Sequence, residues 1–531
     1  MTGPGRVQRT VDDRIVWGIL VGGALLLRAV FATSRMVLSG DEMHYAESLH
    51  HFMGGRILEG FSDYWSFLYP FAALPFGLLY GDAEAGLRML SICSGAALLL
   101  PCMLISKRLW GGRAALFAGL FIALHTILLS YSSAAMTESF FSLLLMLALL
   151  AFVRAMQEGE LRFTILTGLL LGLASLVRQE AQLLVFLPLI FLLFRRRGEG
   201  GARPSARRAV TALLLLLFFL LPLVPHALLL HAKTGRWLVQ SKASVNLSSP
   251  VIWKEGLERE EYVYTLDEEG RDRRLNEIGA GNPLSLLWSS RREIAGRYVR
   301  TITDGPRMLP VLLVTPFLLL LVPLGLFARR WRHRREELLL AAFGIFPFLL
   351  YPLFIVQVRY LVPYLPIYLM WGGVGCAVLT GWLRENVSGS RTIAALVLLV
   401  VFGSLVPYST RRYATIKGAE PIEYRQVGEW IRLHEGKGAR IIAPPGASYS
   451  YYAGNPIAAF IPWTGPRGLY EFSRRLEYDL LVLSEEYIER YRPMMAPLVD
   501  EPERYGFELL HLFDSGAGGR IFVYRIEPSG R

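Results

Sequence analysis

Charged residues and cysteines are both scarce in this sequence. Only 19% of its 531 residues are charged, whereas 53% are apolar, and the mean hydropathy is +0.37. This composition is far from that of a soluble globular domain and is typical of a polytopic membrane protein. Cys93, Cys102 and Cys376 all lie within apolar stretches, which argues against a disulfide framework or a cysteine zinc site and is consistent with small core residues.

Three further features are missing from the sequence. It has no internal repeat, no low-complexity segment beyond its leucine-rich stretches, and no clean cleavage site after its first apolar stretch, residues 15–33. That stretch is therefore predicted to be an uncleaved signal anchor. The formal charge of +12 does not indicate a nucleic-acid partner, because Lys and Arg occur in short clusters between apolar stretches, as topology signals do.

Eleven membrane spans are predicted, because a spanning helix needs about 20 mostly apolar residues. They lie at residues 15–33, 86–106, 114–131, 137–153, 161–178, 181–194, 210–230, 309–328, 337–356, 360–380 and 391–409. With the N-terminus inside, the basic loops after residues 106, 194, 328 and 383 all face the cytoplasm, as the positive-inside rule requires. Residues 64–80 are also apolar, but a span there would put the later basic loops outside, so we expect a re-entrant or surface-lying helix.

This topology leaves three segments on the outer face. Two of them are loops, residues 34–85 and 231–308, within a transmembrane domain predicted at residues 1–410. The third is the tail, residues 411–531, which alternates helix-like and strand-like pieces such as "IEYRQVGEWIRLHE", "YDLLVLS" and "RIFVYRI". That alternation predicts a small outer-face α/β domain.

Ionisable groups gather at the predicted outer ends of the spans, although polar groups at membrane depth are costly. They are Asp41, Glu42, Arg88, Glu138, Arg178, His226, His231 and Arg359. Functional and structural interpretations both remain open for them. The acidic pair also fits the start of a helix, the first two arginines also fit contact with lipid headgroups, and Glu138 also fits a buried ion pair.

The sequence resembles the GT-C integral-membrane glycosyltransferases. The resemblance rests on the acidic pair of "SGDEMHYAE", followed by "LRMLSICSGAALLLPC", "SSAAMTESFFSLLLML", "GLLLGLASLVRQEA" and "RYLVPYLPIYL" in that order. Bacterial relatives of the dolichyl-phosphate-mannose protein mannosyltransferases and the lipid A aminoarabinose transferase are the most similar members. The resemblance covers residues 14–410, and the tail is similar to the outer domains of the same group.

The resemblance implies an enzyme that transfers a sugar, with inversion, from a polyprenyl-phosphate carrier to a hydroxyl of a lipid, polysaccharide or protein. Such an enzyme would act on the periplasmic side of a bacterial inner membrane. Asp41 matches the family's first acidic residue and is the predicted general base, with Glu42 as its partner. Arg88, Arg178 and Arg359 match basic positions that could hold the donor phosphate.

Further site residues follow from the same resemblance. Glu138 stands where relatives often have Asp, and Tyr45 and Tyr360 are predicted to line the donor pocket. Some family members use a divalent cation, for which His226 and His231 are the candidate ligands. Their spacing of five residues is not the i, i+4 spacing that places two ligands on one helix face.

One departure from the family pattern and two rival interpretations remain. Many relatives carry "KPP" or "HPP" after the acidic pair, whereas this chain has "DYWSFLYP", which leaves the donor sugar open. Transfer of a whole oligosaccharide or a phospho-sugar is the alternative within enzymes. A transporter or flippase for a lipid-linked substrate is the alternative outside them; it would more often have inverted repeats and interrupted helices, and the sequence indicates neither.

Overall fold

The computed structural model describes residues 13–62, 64–194, 205–235, 237, 288, 291–353, 356–444, 448–454, 458–514 and 519–527. Most of the predicted outer loop at residues 231–308 lies outside these ranges.

The described part of the chain up to residue 434 is mostly helical. Its helices are α1 Asp13–Ala32, α2 Asp41–Met53, α3 Leu68–Tyr80, α4 Ala83–Ala97, α5 Leu99–Trp110, α6 Gly112–Leu124, α7 Thr126–Ser132, α8 Glu138–Glu158, α9 Leu161–Val177, α10 Ala181–Leu184, α11 Phe186–Leu193, α12 Ser205–Leu220, α13 Leu223–Thr234, α14 Arg291–Thr301, α15 Asp304–Arg307, α16 Leu309–Leu313, α17 Pro316–Phe327, α18 Arg334–Leu350, α19 Val358–Leu361, α20 Leu365–Asn386, α21 Ser390–Gly403, α22 Leu405–Gly418 and α23 Ile422–His434. Short 3₁₀ turns at Tyr351–Leu353 and Val362–Tyr364 flank α19.

Several of these helices are long and apolar enough to cross a membrane. Seven helical stretches among the described residues meet that requirement, four of which join consecutive α-helices, as α4 and α5 do in Ala83–Trp110. Two bent pairs, α6 with α7 and α14–α16 with α17, raise the number to nine if each pair is one span. A mostly helical fold with many apolar helices is thus confirmed. The predicted number of eleven stays a prediction, because the helices within the predicted spans at 161–178 and 181–194 are short.

Two interrupted helices were not expected from the sequence. The α6–α7 pair bends by 57° and the α14–α17 pair by 114°, so the expectation of uninterrupted helices is wrong. Arg28, fully buried in α1, supplies a physical reason for the first bend. Its guanidinium donates to the carbonyls of Ile122 at 3.1 Å and Ala123 at 3.4 Å, which the end of α6 leaves without partners in the helix.

Glycines allow two of the apolar helices to touch backbone to backbone. A Cβ added at Gly325 in α17 would lie 2.1 Å from the carbonyl oxygen of Trp371, and one at Gly375 in α20 would lie 2.0 Å from that of Leu321. Neither position accepts a side chain, so α17 and α20 pack as closely as small-residue interfaces do in membrane proteins. This contact fixes α20, and with it the preceding α19.

Helix α3 corresponds to the apolar segment that was not counted as a span. It has 13 residues and, at about 1.5 Å of rise per residue, is too short to cross a hydrocarbon core of about 30 Å. The hydroxyl of Tyr69 ties it to α4 through hydrogen bonds to the Leu87 carbonyl and the Ser91 hydroxyl. Whether it lies at the surface or re-enters the membrane stays a prediction.

The tail forms the small α/β unit that was expected. Its strands are β1 Ile441–Ala443, β2 Ala458–Phe460, β3 Leu480–Ser484, β4 Phe507–Asp514 and β5 Arg520–Ile526, and its helices are α24 Tyr449–Ala453, α25 Pro466–Arg475, α26 Glu485–Tyr491 and α27 Pro497–Asp500, with 3₁₀ turns at Pro493–Met495 and Pro502–Tyr505. The sheet order is β2-β1-β3-β5-β4. The first three strands are parallel, whereas β5 runs antiparallel to both β3 and β4.

Both faces of the central strands β1 and β3 are buried. Ile441, Leu480 and Val482 contribute to one apolar cluster, while Ile442 and Leu481 contribute to the other. Continuous apolar strands of this kind need a cover on each side, which helices provide. The predicted domain boundary at residue 410 falls inside α22, so the domain division stays a prediction; residues 419–527 are called the C-terminal unit below.

Candidate functional site

Side chains from four helix ends meet in one cluster of charge. Asp41 comes from the first turn of α2, Glu138 from the first turn of α8, Arg178 from the residue after α9, and Arg359 from α19. A helix N-terminus carries partial positive charge, so both carboxylates lie where a negative charge is favoured. Asp41 does not cap α2: the N-cap is Gly40, and no side chain caps that helix end.

Arg359 joins the two carboxylates of this cluster. Its Nη2 donates to Oδ2 of Asp41 at 2.8 Å, and its Nε donates to Oε1 of Glu138 at 3.2 Å. Arg178 donates to the same Oε1 from its Nη1 at 3.2 Å. One oxygen of a fully buried carboxylate thus receives two guanidinium groups, and such charge-assisted hydrogen bonds hold all four side chains in a defined arrangement.

Two further residues, Glu180 and Tyr351, contact this group. Together with Asp41, Glu138, Arg178 and Arg359 they are called the arginine–carboxylate cluster below. Arg178 donates from Nε to Oε1 of Glu180 at 2.5 Å, and the hydroxyl of Tyr351 donates to the same oxygen at 2.9 Å. Neither Glu180 nor Tyr351 was predicted to be a site residue. Glu180 adjoins Arg178 in "RQE", which is a usable signal, whereas nothing near Tyr351 in the sequence marks it.

The cluster has a graded exposure to solvent. The side chains of Asp41 and Arg359 are each 25% exposed, whereas those of Arg178 and Glu138 are 9% and 0% exposed. The second oxygen of Glu138 is buried and has no hydrogen-bond partner among the described residues. An unsatisfied buried carboxylate oxygen is costly, so this oxygen is a place where a ligand hydroxyl would be favoured.

Aromatic rings form one wall of the cluster. The ring of Tyr360 stacks on that of Tyr351, with the ring centroids 5.3 Å apart. The guanidinium carbons of Arg178 and Arg359 lie 5.5 and 5.7 Å from the centroid of the Tyr360 ring. Tyr45, one helical turn after Asp41, is buried against Trp65 and Tyr69. Burial is the main cause that raises the pKa of the Tyr45 hydroxyl, and the charges of Asp41 and Glu138 add to it.

Glu42 and Arg88 lie outside the cluster. Glu42 is buried and accepts the backbone N–H groups of Ser39 at 3.1 Å and Ala135 at 3.0 Å. Burial raises the pKa of its carboxyl, against the lowering effect of Arg35, Arg88 and those two N–H groups. Its predicted role as partner of Asp41 stays a prediction, although its carboxylate is turned to other groups.

Arg88 is engaged by a loop backbone. It donates to the carbonyl of Arg35 at 2.5 Å and to that of Val37 at 3.1 Å, and it pairs with Glu84 at 2.7 Å. A guanidinium used in this way leaves less for a donor phosphate. The geometry therefore favours Arg178 and Arg359 over Arg88 as phosphate ligands.

Comparisons with known proteins agree with this architecture. Residues 66–228 match the family model for dolichyl-phosphate-mannose-protein mannosyltransferase. ArnT from Cupriavidus metallidurans, solved with undecaprenyl phosphate bound, is 14% identical at a TM-score of 0.57, with 98% of this chain and 99% of that chain covered. The chain has the GT-C fold.

Two further structures share the GT-C fold. The oligosaccharyltransferase AglB from Archaeoglobus fulgidus, in complex with an inhibitory peptide and a dolichol-phosphate, is 13% identical at a TM-score of 0.58, with 96% of this chain and 74% of that chain covered. The arabinofuranosyltransferase AftD from Mycobacteria is 15% identical at a TM-score of 0.53, with 98% of this chain and 40% of that chain covered. No curated protein sequence matches. The resemblance to GT-C glycosyltransferases inferred from the sequence is confirmed at the level of the fold.

The described residues of this chain do not form a ready metal site. An oligosaccharyltransferase from Archaeoglobus fulgidus with the same fold was solved with Zn and sulfate, but nowhere in the described ranges do three or more His, Cys, Asp or Glu side chains gather as metal ligands. His226 is buried against the rings of Phe61 and Phe67, and His231 stacks on Trp237. Neither histidine joins the arginine–carboxylate cluster, whose carboxylates already accept from arginines, so a metal does not fit these residues.

Proposed function

We propose that this chain is an inverting glycosyltransferase that moves a sugar from a polyprenyl-phosphate carrier to a hydroxyl acceptor on the outer face of a membrane. The observation that carries the proposal is the position of Arg359 between Asp41 and Glu138. It places a candidate base, a cation for a leaving phosphate and a buried acceptor for sugar hydroxyls within one group of helix ends. The match to a mannosyltransferase family model and the shared fold support the same reaction class.

Asp41 acts as the general base in the proposed reaction. Its carboxylate takes the proton of the acceptor hydroxyl while that oxygen forms a bond to the anomeric carbon of the sugar. The bond from that carbon to the phosphate oxygen breaks, and its electron pair leaves with the polyprenyl phosphate. A single displacement of this kind inverts the configuration at the anomeric carbon.

Arg359 and Arg178 stabilise the leaving phosphate. Negative charge grows on the phosphate as the bond breaks, and fixed guanidinium groups stabilise it more in that state than in the ground state. Arg359 is the more exposed of the two, so the donor phosphate reaches it first and draws it away from Asp41. The carboxylate of Asp41 is then free to accept a proton, which couples donor binding to base activation.

Glu138 binds the donor sugar in this arrangement. Its Oε1 holds both arginines in place, and its buried Oε2 accepts a sugar hydroxyl. Tyr360 and Tyr45 line the same space. No step is assigned to a metal ion, because the described residues around Asp41 and Glu138 do not fit one.

Mass spectrometry of surface glycans, glycolipids and glycoproteins tests the proposal whichever class of molecule the acceptor belongs to. Cells producing the wild-type chain should carry a sugar modification that is absent without it. Asp41→Asn should remove that modification at an equal amount of membrane-inserted protein. Glu59→Gln is the matched control, because Glu59 is another carboxylate of the same outer segment and is 58% exposed. Persistence of the modification in Asp41→Asn would exclude Asp41 as the base.

The two bent helix pairs favour one alternative, a transporter or flippase for a lipid-linked substrate, because interrupted helices are common in transporters. Reconstituted liposomes separate the two, because loss of a flippase would also remove a surface glycan from cells. A flippase variant would change which side a lipid-linked sugar occupies, whereas a transferase variant changes the covalent product.

A further inference from the structure

The segment that leads into Asp41 has no secondary structure of its own. Residues 33–40 connect α1 to α2 through turns and irregular chain, yet Val37 and Leu38 are buried. Buried backbone N–H and C=O groups need partners, and side chains from elsewhere supply them here.

Six backbone groups of this segment are held by side chains. Glu420 accepts the N–H groups of Met36 at 2.9 Å and Val37 at 3.2 Å. Tyr452 accepts the N–H of Leu38 at 2.8 Å, and Ser448 donates to the Leu38 carbonyl at 2.6 Å. The remaining two groups are the carbonyls of Arg35 and Val37, to which Arg88 donates.

Four of these six contacts come from the C-terminal unit. Glu420 lies between α22 and α23, while Ser448 and Tyr452 belong to the N-terminus and the body of α24. Tyr452 also donates to Glu84 at 3.0 Å, and Arg425 of α23 donates to the same carboxylate oxygen at 2.9 Å. Glu84 pairs in turn with Arg88, so the contacts from the two sides of the segment form one connected network.

We propose that the C-terminal unit positions the general base: Glu420, Ser448 and Tyr452 clamp residues 36–38 and thereby hold the first turn of α2, with Asp41, against Arg359. Leu38 is three residues from Asp41, and Ser39 and Gly40 are the links between the clamped residues and the helix. Glu42 fixes this link further, since it accepts the Ser39 N–H. A displacement of the Asp41 carboxylate by about 1 Å is enough to lower the rate of proton transfer strongly.

The clamp acts on the base and not on the phosphate ligands. Arg178 and Arg359 are carried by α9 and α19, which make none of the hydrogen bonds described for residues 36–38. A loosened clamp should therefore lower turnover while affinity for the lipid phosphate stays the same. If these hydrogen bonds only stabilised the fold, their loss would lower turnover and lipid-phosphate affinity together, along with thermal stability.

Variants of the full-length protein in lipid nanodiscs test the clamp. Tyr452→Phe and Glu420→Ala should each speed hydrogen–deuterium exchange in the peptide covering residues 36–38 about tenfold, because a lost hydrogen bond changes a local opening equilibrium by about that factor. Glu420→Gln should partly restore slow exchange, since its amide oxygen still accepts an N–H. Tyr470→Phe is the control, because it removes a tyrosine hydroxyl that bonds to the Glu527 carbonyl elsewhere in the same unit.

Activity measurements complete the test, and this part rests on the proposed function. Turnover is followed as release of undecaprenyl phosphate from its sugar-linked form, and binding is followed with undecaprenyl phosphate alone. The clamp predicts about tenfold slower turnover or more in Tyr452→Phe, with unchanged undecaprenyl phosphate affinity. Unchanged exchange, or unchanged turnover despite faster exchange, would overturn it. If the wild-type chain neither binds undecaprenyl phosphate nor releases it, the proposed function fails, and unaltered exchange would separately reject the clamp.

Discussion

Arg359 donates to Asp41 across 2.8 Å although the two residues are 318 positions apart in the sequence. Each side chain is one quarter exposed, so the pair lies at the border between the buried side chains of Glu138 and Arg178 and the solvent. An ion pair in such a place contributes modestly to stability. In the proposed mechanism the ion pair can be exchanged: a phosphate competes for Arg359, and Asp41 is then ready to take a proton.

Asp41→Asn should abolish sugar transfer while leaving the fold intact. The amide keeps the volume of the carboxyl but does not act as a base, so kcat should fall by about 10²–10⁴-fold. Reconstituted turnover in liposomes measures the effect. Melting temperature and the yield of purified protein should stay close to wild type, because Asp41 is partly exposed and does not cap α2. Near-normal turnover would remove Asp41 from the mechanism.

Glu138→Gln should destabilise the protein strongly. The change leaves Arg178 and Arg359 close together without the buried charge that they share, and breaking a buried ion pair from one side costs about 3 kcal/mol or more. Thermal unfolding in detergent measures the loss.

Glu158→Gln is the matched control for this change. Glu158 ends the same helix, and its side chain is 25% exposed and pairs with Arg108 and Arg154, so its replacement should lower the melting temperature much less, since exposed ion pairs contribute little to stability. In a double-mutant cycle, Glu138→Gln and Arg359→Gln should be coupled by about 1–3 kcal/mol. If the changes in the free energy of unfolding were additive, the contact between Glu138 and Arg359 would contribute nothing to stability.

Local patterns in the sequence predicted the helices and strands well. The strand-like pieces "YDLLVLS" and "RIFVYRI" form β3 and β5, since continuous apolar residues demand burial on both faces. The bend between α6 and α7 was missed, because the sequence has no proline there and the carbonyls are satisfied by Arg28 from another helix. Only a tertiary contact marks that break.

The candidate site was predicted in part. Asp41, Glu138, Arg178 and Arg359 were named from polar residues at the ends of apolar stretches, and the structure brings these four together. The hydrogen bonds of Arg88 could not be predicted, because two of its partners are backbone carbonyls of a loop, which any residue type provides. The same applies to Tyr351, whose hydroxyl reaches a carboxylate 171 positions away.

Glu47 should make stability depend on pH. Burial raises the pKa of its carboxyl to about 7, above the value of about 4.3 expected in an unfolded chain. The folded state therefore binds more protons than the unfolded state between these values, and stability falls as pH rises from about 4.5 to 7. Glu47→Gln removes this effect, so its melting temperature relative to wild type should rise between pH 5 and pH 8. The same change at Glu477, which is 88% exposed, should leave that difference flat.

The predicted outer-face position of the site can be checked by cysteine labelling. Glu59→Cys lies in the segment after α2, and the side chain of Glu59 is 58% exposed; Arg113→Cys lies near the start of α6, in a basic loop predicted to be cytoplasmic. The native cysteines should give little background, because Cys102 and Cys376 are buried and Cys93 is half-buried. A membrane-impermeant maleimide applied to intact cells should label Glu59→Cys and spare Arg113→Cys until the cells are permeabilised. The opposite pattern would place Asp41 on the cytoplasmic side, and a donor carried on the outer leaflet would then be excluded.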